Sequence, residues 1–150
     1  MALTDDTKQE IQQGYRDVLT GKDIRARYGQ RLMIAEIAKY MGEITENDGQ
    51  RTSPASACVV EAGTGTGKTL AYLIAAIPVA KALGKTLVIS TATVALQDQI
   101  VLKDLPDLKK HSRMDFNWAL AKGRGRYLCM SRLEARLHDE GNGDSDTMPL

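Results

Sequence analysis

The sequence predicts an α/β fold preceded by a helical segment, and three observations support this. Residues 1–56 carry amphipathic, helix-like patterns, short apolar runs follow at 58–62, 86–91 and 116–121, and helical periodicity separates those runs. Strands that alternate with helices pair in parallel through right-handed crossovers, so we expect a parallel sheet. Only three strands are predicted, and we therefore expect the sheet to be incomplete.

Composition places the chain among ordinary globular proteins, with 43% hydrophobic and 26% charged residues and a net charge of +1. These values exclude a collagen, a wholly disordered chain and a disulfide scaffold. No apolar run reaches the roughly 18 residues that a membrane-spanning helix needs. The acidic start does not resemble a signal peptide, and Cys58 and Cys129 are the only cysteines. We therefore expect a cytoplasmic protein without a disulfide.

Two helices are predicted in the N-terminal segment. The first covers residues 7–19, where Thr7 and Glu10 have the spacing of a capping box. The second covers residues 30–41 and carries a stripe of large apolar side chains at helical spacing. Residues 45–56 are polar turn formers, which predict a surface loop.

Apolar strands and amphipathic helices alternate over residues 57–138. Cys58 falls in the first strand, so we expect its thiol to be buried in the core. Pro78 removes a backbone donor and predicts a kink, and Pro106 is expected to follow the end of the next helix. The predicted elements are a strand at 58–62, a helix at 67–82, a strand at 86–91, a helix at 94–103, a strand at 116–121, a short helix at 132–138 and a loop at 141–146.

The strongest motif is AGTGTGKT at residues 62–69, between a predicted strand and a predicted helix. It fits the P-loop pattern G-x-x-x-x-G-K-[ST] with Ala62 in place of the first glycine. Lys68 is expected to contact the β- and γ-phosphates, the Thr69 hydroxyl to bind Mg²⁺, and both are the predicted catalytic residues. The backbone cradle for the phosphates is predicted at Ala62, Gly63, Thr64, Gly65, Thr66 and Gly67.

Four segments resemble motifs of one helicase family. Residues 62–69 look like motif I of superfamily 2 helicases, and residues 27–34 (RYGQRLMI) resemble the adenine-reading Q-type motif. Residues 90–100 resemble motif Ia, and residues 122–129 (KGRGRYLC) resemble the entry to an iron–sulfur domain. Over residues 7–137 the chain therefore resembles the N-terminal part of the bacterial DinG-type, XPD-like iron–sulfur branch of superfamily 2 DNA helicases.

That resemblance implies the fold, the activity and the partners. It implies a RecA-like P-loop fold with an N-terminal helical segment at 1–56, the first part of lobe 1 at 57–121 and the start of the iron–sulfur insertion at 122–150. The implied activity is ATP-dependent 5′→3′ DNA unwinding in repair or replication, with the chain inactive alone. Single-stranded or forked DNA and a single-stranded-DNA-binding protein are the expected partners of a monomer.

Gln30 and Arg27 are the predicted nucleotide-binding residues of the Q-type segment. The Gln30 amide offers a donor and an acceptor, which suits the N6/N7 edge of adenine. Arg27 lies three residues earlier and could support the loop or the nucleotide. A helix-capping role for Gln30 is the alternative.

DNA contacts are predicted at two places. Thr91 and Thr93 end a predicted parallel strand, where open α/β sheets bind ligands, although Thr93 also suits an ordinary helix N-cap. The arginines beside Tyr127 suit phosphate binding and base stacking, or form a solvated basic turn. The predicted DNA-binding residues are Thr91, Thr93, Gln97, Arg124 and Arg126.

By resemblance, Cys129 is a ligand of a [4Fe–4S] cluster. Such a cluster needs four thiolates, and the 150-residue sequence has two cysteines. Helicase hydrolysis also needs an Asp–Glu pair on a strand. Residues 137–142 (LHDEGN) contain such a pair, but the residues before it predict an amphipathic helix, so we reject this match.

The sequence is also compatible with two other functions. The first is a short P-loop module that binds nucleotide and DNA without catalysis. Residues 101–137 favour it, because they carry nine basic and four acidic side chains. The second is a small nucleotide kinase with a similar loop. The long N-terminal helical segment and the lack of an arginine-bearing lid argue against a kinase.

Overall fold

The computed structural model describes residues 3–54 and 57–141. They divide into two compact units, the first ending at Asn117 and the second beginning at Trp118. Within the described part of the chain, no helix has both the length and the apolar character needed to cross a membrane.

The first helix, α1, spans Asp5–Gly21 and begins earlier than predicted. Its N-cap is Thr4, whose Oγ1 accepts a hydrogen bond from the Thr7 backbone amide at 3.3 Å. The predicted capping box at Thr7 is therefore wrong, and Thr7 lies buried in the first turn. Two aspartates follow the cap, where carboxylates favour the positive end of the helix dipole.

Helices α2 (Tyr28–Gly42) and α3 (Lys68–Ala82) form the centre of the first unit together with α1. Nine residues of α3 are buried, namely Ala71 and residues 73–80. This part of the helix is therefore apolar on all sides, as a central core helix should be. The helix continues through Pro78, whose ring is itself buried. The core therefore surrounds the helix that follows the P-loop.

The predicted loop at 45–56 contains a short hairpin that its turn-forming composition did not predict. Strands β1 (Glu46–Asn47) and β2 (Gln50–Arg51) pair antiparallel. Asp48 and Gly49 join them with φ angles of 49° and 76°, as a two-residue hairpin turn requires.

The parallel sheet does not form among the described residues, where β1 and β2 are the only paired strands. The segments predicted as strands at 58–62, 86–91 and 116–121 have no regular secondary structure. Val59 is 91% exposed, and Cys58 is exposed rather than buried in the core. A strand is stable only when a neighbour pairs with its backbone groups, and the described residues provide no such neighbour for these segments.

Residues 86–91 nevertheless keep the alternation of a strand. Leu87 and Ile89 are half-buried and pack against the helical core, whereas Val88 between them is 82% exposed. Side chains that alternate in this way belong to a strand with one face on the core. The sequence therefore has the side-chain pattern of the predicted strand without its hydrogen bonds.

A continuous helical stretch runs from Val94 to Ser112. It consists of α4 (Val94–Gln99), a π-helical turn (Ile100–Asp104) and α5 (Leu105–Ser112). The prediction that the helix ends before Pro106 is wrong. Pro106 lies in the first turn of α5, after the wider π turn has shifted the hydrogen-bond register, and a proline needs no amide partner there.

The second unit contains a 3₁₀ turn (Arg124–Arg126) and α6 (Met130–Gly141). The Tyr127 hydroxyl accepts a hydrogen bond from the Lys122 amide at 2.8 Å and closes the intervening loop. The rejected Asp–Glu match lies on α6 up to Gly141, which confirms that this segment is a helix. The rest of the predicted loop at 141–146 lies outside the described residues.

Candidate functional site

The P-loop leads directly into the core helix α3. Gly65 and Gly67 have φ angles of 76° and 78°, in the left-handed region that favours glycine. Gly67 is the N-cap of α3, and its carbonyl accepts the first helical hydrogen bond, from the Ala71 amide at 3.1 Å. The unpaired amides of the first turn thus stand at the positive end of a helix of 15 residues, which is a favourable place for phosphate.

Lys68 folds back over the loop. Its Nζ donates hydrogen bonds to the carbonyl oxygens of Ala62 at 2.6 Å and Gly63 at 2.9 Å. The Thr66 hydroxyl donates to the same Gly63 carbonyl at 2.9 Å. Phosphate oxygens are stronger acceptors than these carbonyls, so the ammonium group can exchange them for a nucleotide without leaving the loop.

Thr69 is half-buried on the first turn of α3 and shares a side-chain hydrogen bond with Tyr72, one turn later. Burial raises the pKa of Tyr72, the Thr69 hydrogen bond opposes this, and the Asp104 carboxylate raises it further. Tyr72 therefore stays protonated at neutral pH. The Thr69 oxygen keeps a lone pair for a cation such as Mg²⁺.

The two Q-type residues both reach the P-loop. Gln30 lies in the first turn of α2 and is 5% exposed, and its Nε2 donates to the Gly67 carbonyl oxygen at 3.1 Å. The Arg27 guanidinium, at the N-cap of α2, donates to the Gly65 carbonyl oxygen. Each side chain therefore holds the carbonyl of one left-handed glycine. The Gln30 side chain does not cap α2, so the capping alternative is wrong.

Two tyrosines at this site were not predicted as functional. The Tyr15 hydroxyl donates to Gln30 Oε1 at 2.8 Å, and Tyr72 contacts Thr69 as described above. The available signals were weak: a hydroxyl within the otherwise apolar stripe of α1, and a tyrosine three residues after the P-loop threonine. Both residues had the spacing of ordinary core positions.

A cavity of about 830 Å³ lies between α1 and α2, away from the P-loop residues. Apolar side chains including Ile11, Ile34 and Ala38 line it, and Tyr15 forms part of its wall. None of residues 62–69 lines this cavity.

The threonines predicted to contact DNA lie at the start of α4. Thr93 is its N-cap, and its Oγ1 accepts from the Leu96 amide at 3.2 Å, which confirms the capping alternative. The Thr91 hydroxyl donates to the Thr93 carbonyl at 3.1 Å. Gln97 is half-buried on the same helix. The capping bond leaves the Thr93 hydroxyl proton available to a phosphate.

In the second unit, Arg124 and Arg126 lie exposed on the 3₁₀ turn, next to the exposed ring of Tyr127. Cys129 is exposed immediately before α6. Its Sγ lies 3.2 Å from Ser131 Oγ, and hydrogen bonds from this hydroxyl and from the amides of residues 132 and 131 lower its pKa.

The residues of this chain do not complete an iron–sulfur site. Four thiolates are needed, and Cys58 and Cys129 are the two that the sequence offers. In the part of the chain that the structure describes, no three His, Cys, Asp or Glu side chains group as metal ligands. Cys129 can supply one ligand at most.

Comparison with known proteins identifies the family. The DEAD/DEAH box helicase model matches residues 38–134. The protein named ATP-dependent DNA helicase DinG of Escherichia coli (strain K12) is 45% identical over 136 residues, which cover 90% of this chain and 18% of that protein. The proteins of the same name from Photobacterium profundum and Salmonella typhimurium are each 43% identical, over 129 and 141 residues, and these alignments cover 85% and 93% of this chain.

The chain spans about 18% of the length of these curated relatives. The family match itself covers more than half of the chain and includes the P-loop, α3 and the helical stretch after it. A helicase family, rather than a small nucleotide kinase, therefore accounts for the P-loop of this chain. The chain belongs to the DEAD/DEAH box helicase family.

Proposed function

We propose that the protein is an ATP-dependent DNA helicase of the DinG type, for which this chain supplies the ATP-binding machinery. The hydrogen bond from Gln30 to the Gly67 carbonyl is the main support for this proposal. It joins the Q-type segment to the P-loop across 37 positions of sequence. Such a link is expected where one site reads both the base and the phosphates of a nucleotide.

Binding of the triphosphate uses groups that are already in position. The unpaired amides at the start of α3 bind the β-phosphate, and Lys68 moves its hydrogen bonds from the Ala62 and Gly63 carbonyls to phosphate oxygens. The Thr69 hydroxyl fits a magnesium ligand. A bound Mg²⁺ at this position would supply positive charge between the β- and γ-phosphates.

Adenine recognition falls to Gln30. One Nε2 proton is used by Gly67 and one Oε1 lone pair by Tyr15, which leaves one donor and one acceptor. Adenine presents the complementary pair at N7 and N6. Arg27 supports the loop through Gly65.

DNA binding would use the start of α4 and the basic turn of the second unit. Thr91, Thr93 and Gln97 lie at the first place, and Arg124 and Arg126 at the second. Hydroxyl, amide and guanidinium donors of this kind contact phosphates and leave sequence unread. A helicase that must move along any sequence requires this form of contact.

The remaining parts of the proposal, on domain structure, cluster ligand, polarity and cellular role, come from the resemblance to DinG-type helicases. Residues 58–62, 86–91 and 116–121 would join a RecA-like parallel sheet, with 1–56 as the helical segment, 57–121 as part of lobe 1 and Cys129 as one ligand of an iron–sulfur cluster. The 5′→3′ polarity and the role in repair or replication belong to the same proposal. The cytoplasmic location, the monomeric state and the contact with a single-stranded-DNA-binding protein stay predictions.

The alternative, a binding module without hydrolysis, differs from a helicase in one chemical requirement. Among the described residues, no Asp–Glu pair lies on a strand, because the pair at 139–140 belongs to α6. A helicase uses such a pair to bind Mg²⁺ and activate water. Hydrolysis therefore distinguishes the two functions.

The test is ATP hydrolysis by the protein at its native length, with and without single-stranded DNA. We expect DNA to stimulate hydrolysis and Lys68→Ala to abolish it. Lys81→Ala is the matched control, since Lys81 lies on the same helix and pairs with Glu10 on the surface at 3.7 Å. ATP binding without hydrolysis in the unaltered protein would favour the binding module, and DNA-stimulated hydrolysis that survives Lys68→Ala would exclude this P-loop as the site.

A further inference from the structure

Tyr15 carries a buried hydroxyl that the phosphate chemistry does not use. The side chain lies on the core face of α1 between Ile11 and Val18 and is 8% exposed. Its hydroxyl lies 2.8 Å from Gln30 Oε1. A buried phenol needs a hydrogen-bond partner, and here the partner is a predicted nucleotide-binding residue.

The two partners of Gln30 fix the orientation of its amide. At one end the Gly67 carbonyl can only accept, so Nε2 must face it and Oε1 must face Tyr15. The Tyr15 hydroxyl must then be the donor. A reversed amide would place Oε1 against the Gly67 carbonyl oxygen, two acceptors with no proton between them.

The same chain of hydrogen bonds ends on a conformationally demanding residue. Gly67 has a φ of 78° and begins α3, and a Cβ at this position would collide with Gln30 Nε2. The Gln30 side chain therefore packs directly on the turn that cradles phosphate. Tyr15 links α1 to that turn through a single side chain.

We propose that Tyr15 is a positioning residue for ATP binding and for the selection of adenine over guanine. It acts through Gln30, and the inference rests on the proposed function of this site. Because the amide is fixed, its remaining N–H can donate to adenine N7 and its remaining Oε1 lone pair can accept from adenine N6. Guanine presents two acceptors, N7 and O6, on the same edge, so one of them meets the Oε1 lone pair.

The test is a double-mutant cycle with Tyr15→Phe and Gln30→Ala. For each variant of the protein at its native length, the Kd of ATP and the Kd of GTP are measured in the presence of Mg²⁺. Removal of the hydroxyl leaves the ring in place, so the fold should persist. One net hydrogen bond corresponds to a change of about 3- to 10-fold in affinity. We expect Tyr15→Phe to weaken ATP by about that factor and to reduce the ATP/GTP preference by a similar factor.

In the Gln30→Ala background, Tyr15→Phe should change neither value, because the residue through which Tyr15 acts is gone. Tyr40→Phe is the matched control, a half-buried tyrosine ten residues beyond Gln30 on α2, about 15 Å away by helical rise. It should bind both nucleotides like the unaltered protein.

Equal effects of Tyr15→Phe with and without Gln30, or an unchanged ATP/GTP ratio, would overturn the positioning role and leave the proposed ATP site standing. If the unaltered protein binds neither nucleotide while its thermal unfolding shows that it is folded, the proposed function fails, and the role of Tyr15 fails with it.

Discussion

The Nε2 atom of Gln30 lies 3.1 Å from the carbonyl oxygen of Gly67, so the first turn of α2 is bonded to the residue that begins α3. Helices α2 and α3 also pack along their lengths. This packing gives the hydrogen bond a rigid support at both ends. The proposed nucleotide site is therefore anchored on the helical core.

Replacing Gly67 by alanine should damage both the fold and the site. The left-handed φ of 78° costs a residue with a Cβ about 1–2 kcal/mol, and the new Cβ would displace Gln30 Nε2. Urea unfolding should show the loss of stability, and titration with ATP should show loss of binding. Gly29→Ala is the control, because a Cβ there meets no atom within 4 Å and alanine favours a helix. Equal stability of the two variants would contradict this geometry.

Shortening a buried side chain of α3 and shortening an exposed side chain of residues 86–91 should have different effects on the free energy of unfolding. Leu73→Ala removes a fully buried side chain from α3 and should lower the free energy of unfolding by about 2–5 kcal/mol. Val88→Ala removes an exposed side chain and should cost less than about 0.5 kcal/mol in this chain. Chemical denaturation measures both. A large cost at Val88 would mean that residues 86–91 are covered on both faces.

The capping role of Thr93 can be separated from DNA contact. Thr93→Ala should lower stability by about 1 kcal/mol, and Thr93→Ser should restore it, because serine also caps α4. DNA binding should weaken in the alanine variant because a hydroxyl–phosphate contact is lost, whereas its dependence on salt should stay the same because a neutral hydroxyl releases no counterion. Thr91→Ala tests the neighbouring hydroxyl without removing the cap. A stable alanine variant would show that this cap contributes little.

Cys129 should react as a thiolate at lower pH than an ordinary thiol. The Ser131 hydroxyl and nearby amides lower the pKa of Cys129 by stabilising the charged form. Ser131→Ala removes the first of these, so the pH profile of iodoacetamide alkylation should move to higher pH. Measurement in a Cys58→Ser background isolates this thiol. An unchanged profile would show that the Ser131 bond does not stabilise the thiolate.

The sequence predicted the P-loop and the helix after it, because both depend on local chemistry. The contact of Gln30 with the Gly67 carbonyl joins residues 37 positions apart and is seen only in the structure. Gly65 and Gly67 occupy positions that need a left-handed backbone, and Lys68 follows them in fixed spacing. The predicted parallel sheet does not form among the described residues, because strands depend on neighbours distant in sequence. Cys58 is exposed for that reason, although its apolar context predicted burial.

Other differences came from competing local rules. Thr4 rather than Thr7 caps α1, and the two aspartates that follow Thr4 lie in the first turn, where carboxylates favour the positive end of the helix dipole. Pro106 did not end its helix, because a π turn preceded it and placed the proline in a first turn. Tyr15 had the spacing of a core residue, and only the three-dimensional structure shows its hydroxyl on Gln30.

On the proposed function, Gln30 holds the P-loop in the conformation that binds ATP. The most direct measurement is the Kd of ATP with Mg²⁺ for Gln30→Glu, which keeps the shape of the side chain but places an acceptor against the Gly67 carbonyl. We predict a loss of affinity of roughly tenfold or more in a protein that remains folded by circular dichroism. Affinity equal to that of the unaltered protein would contradict the account.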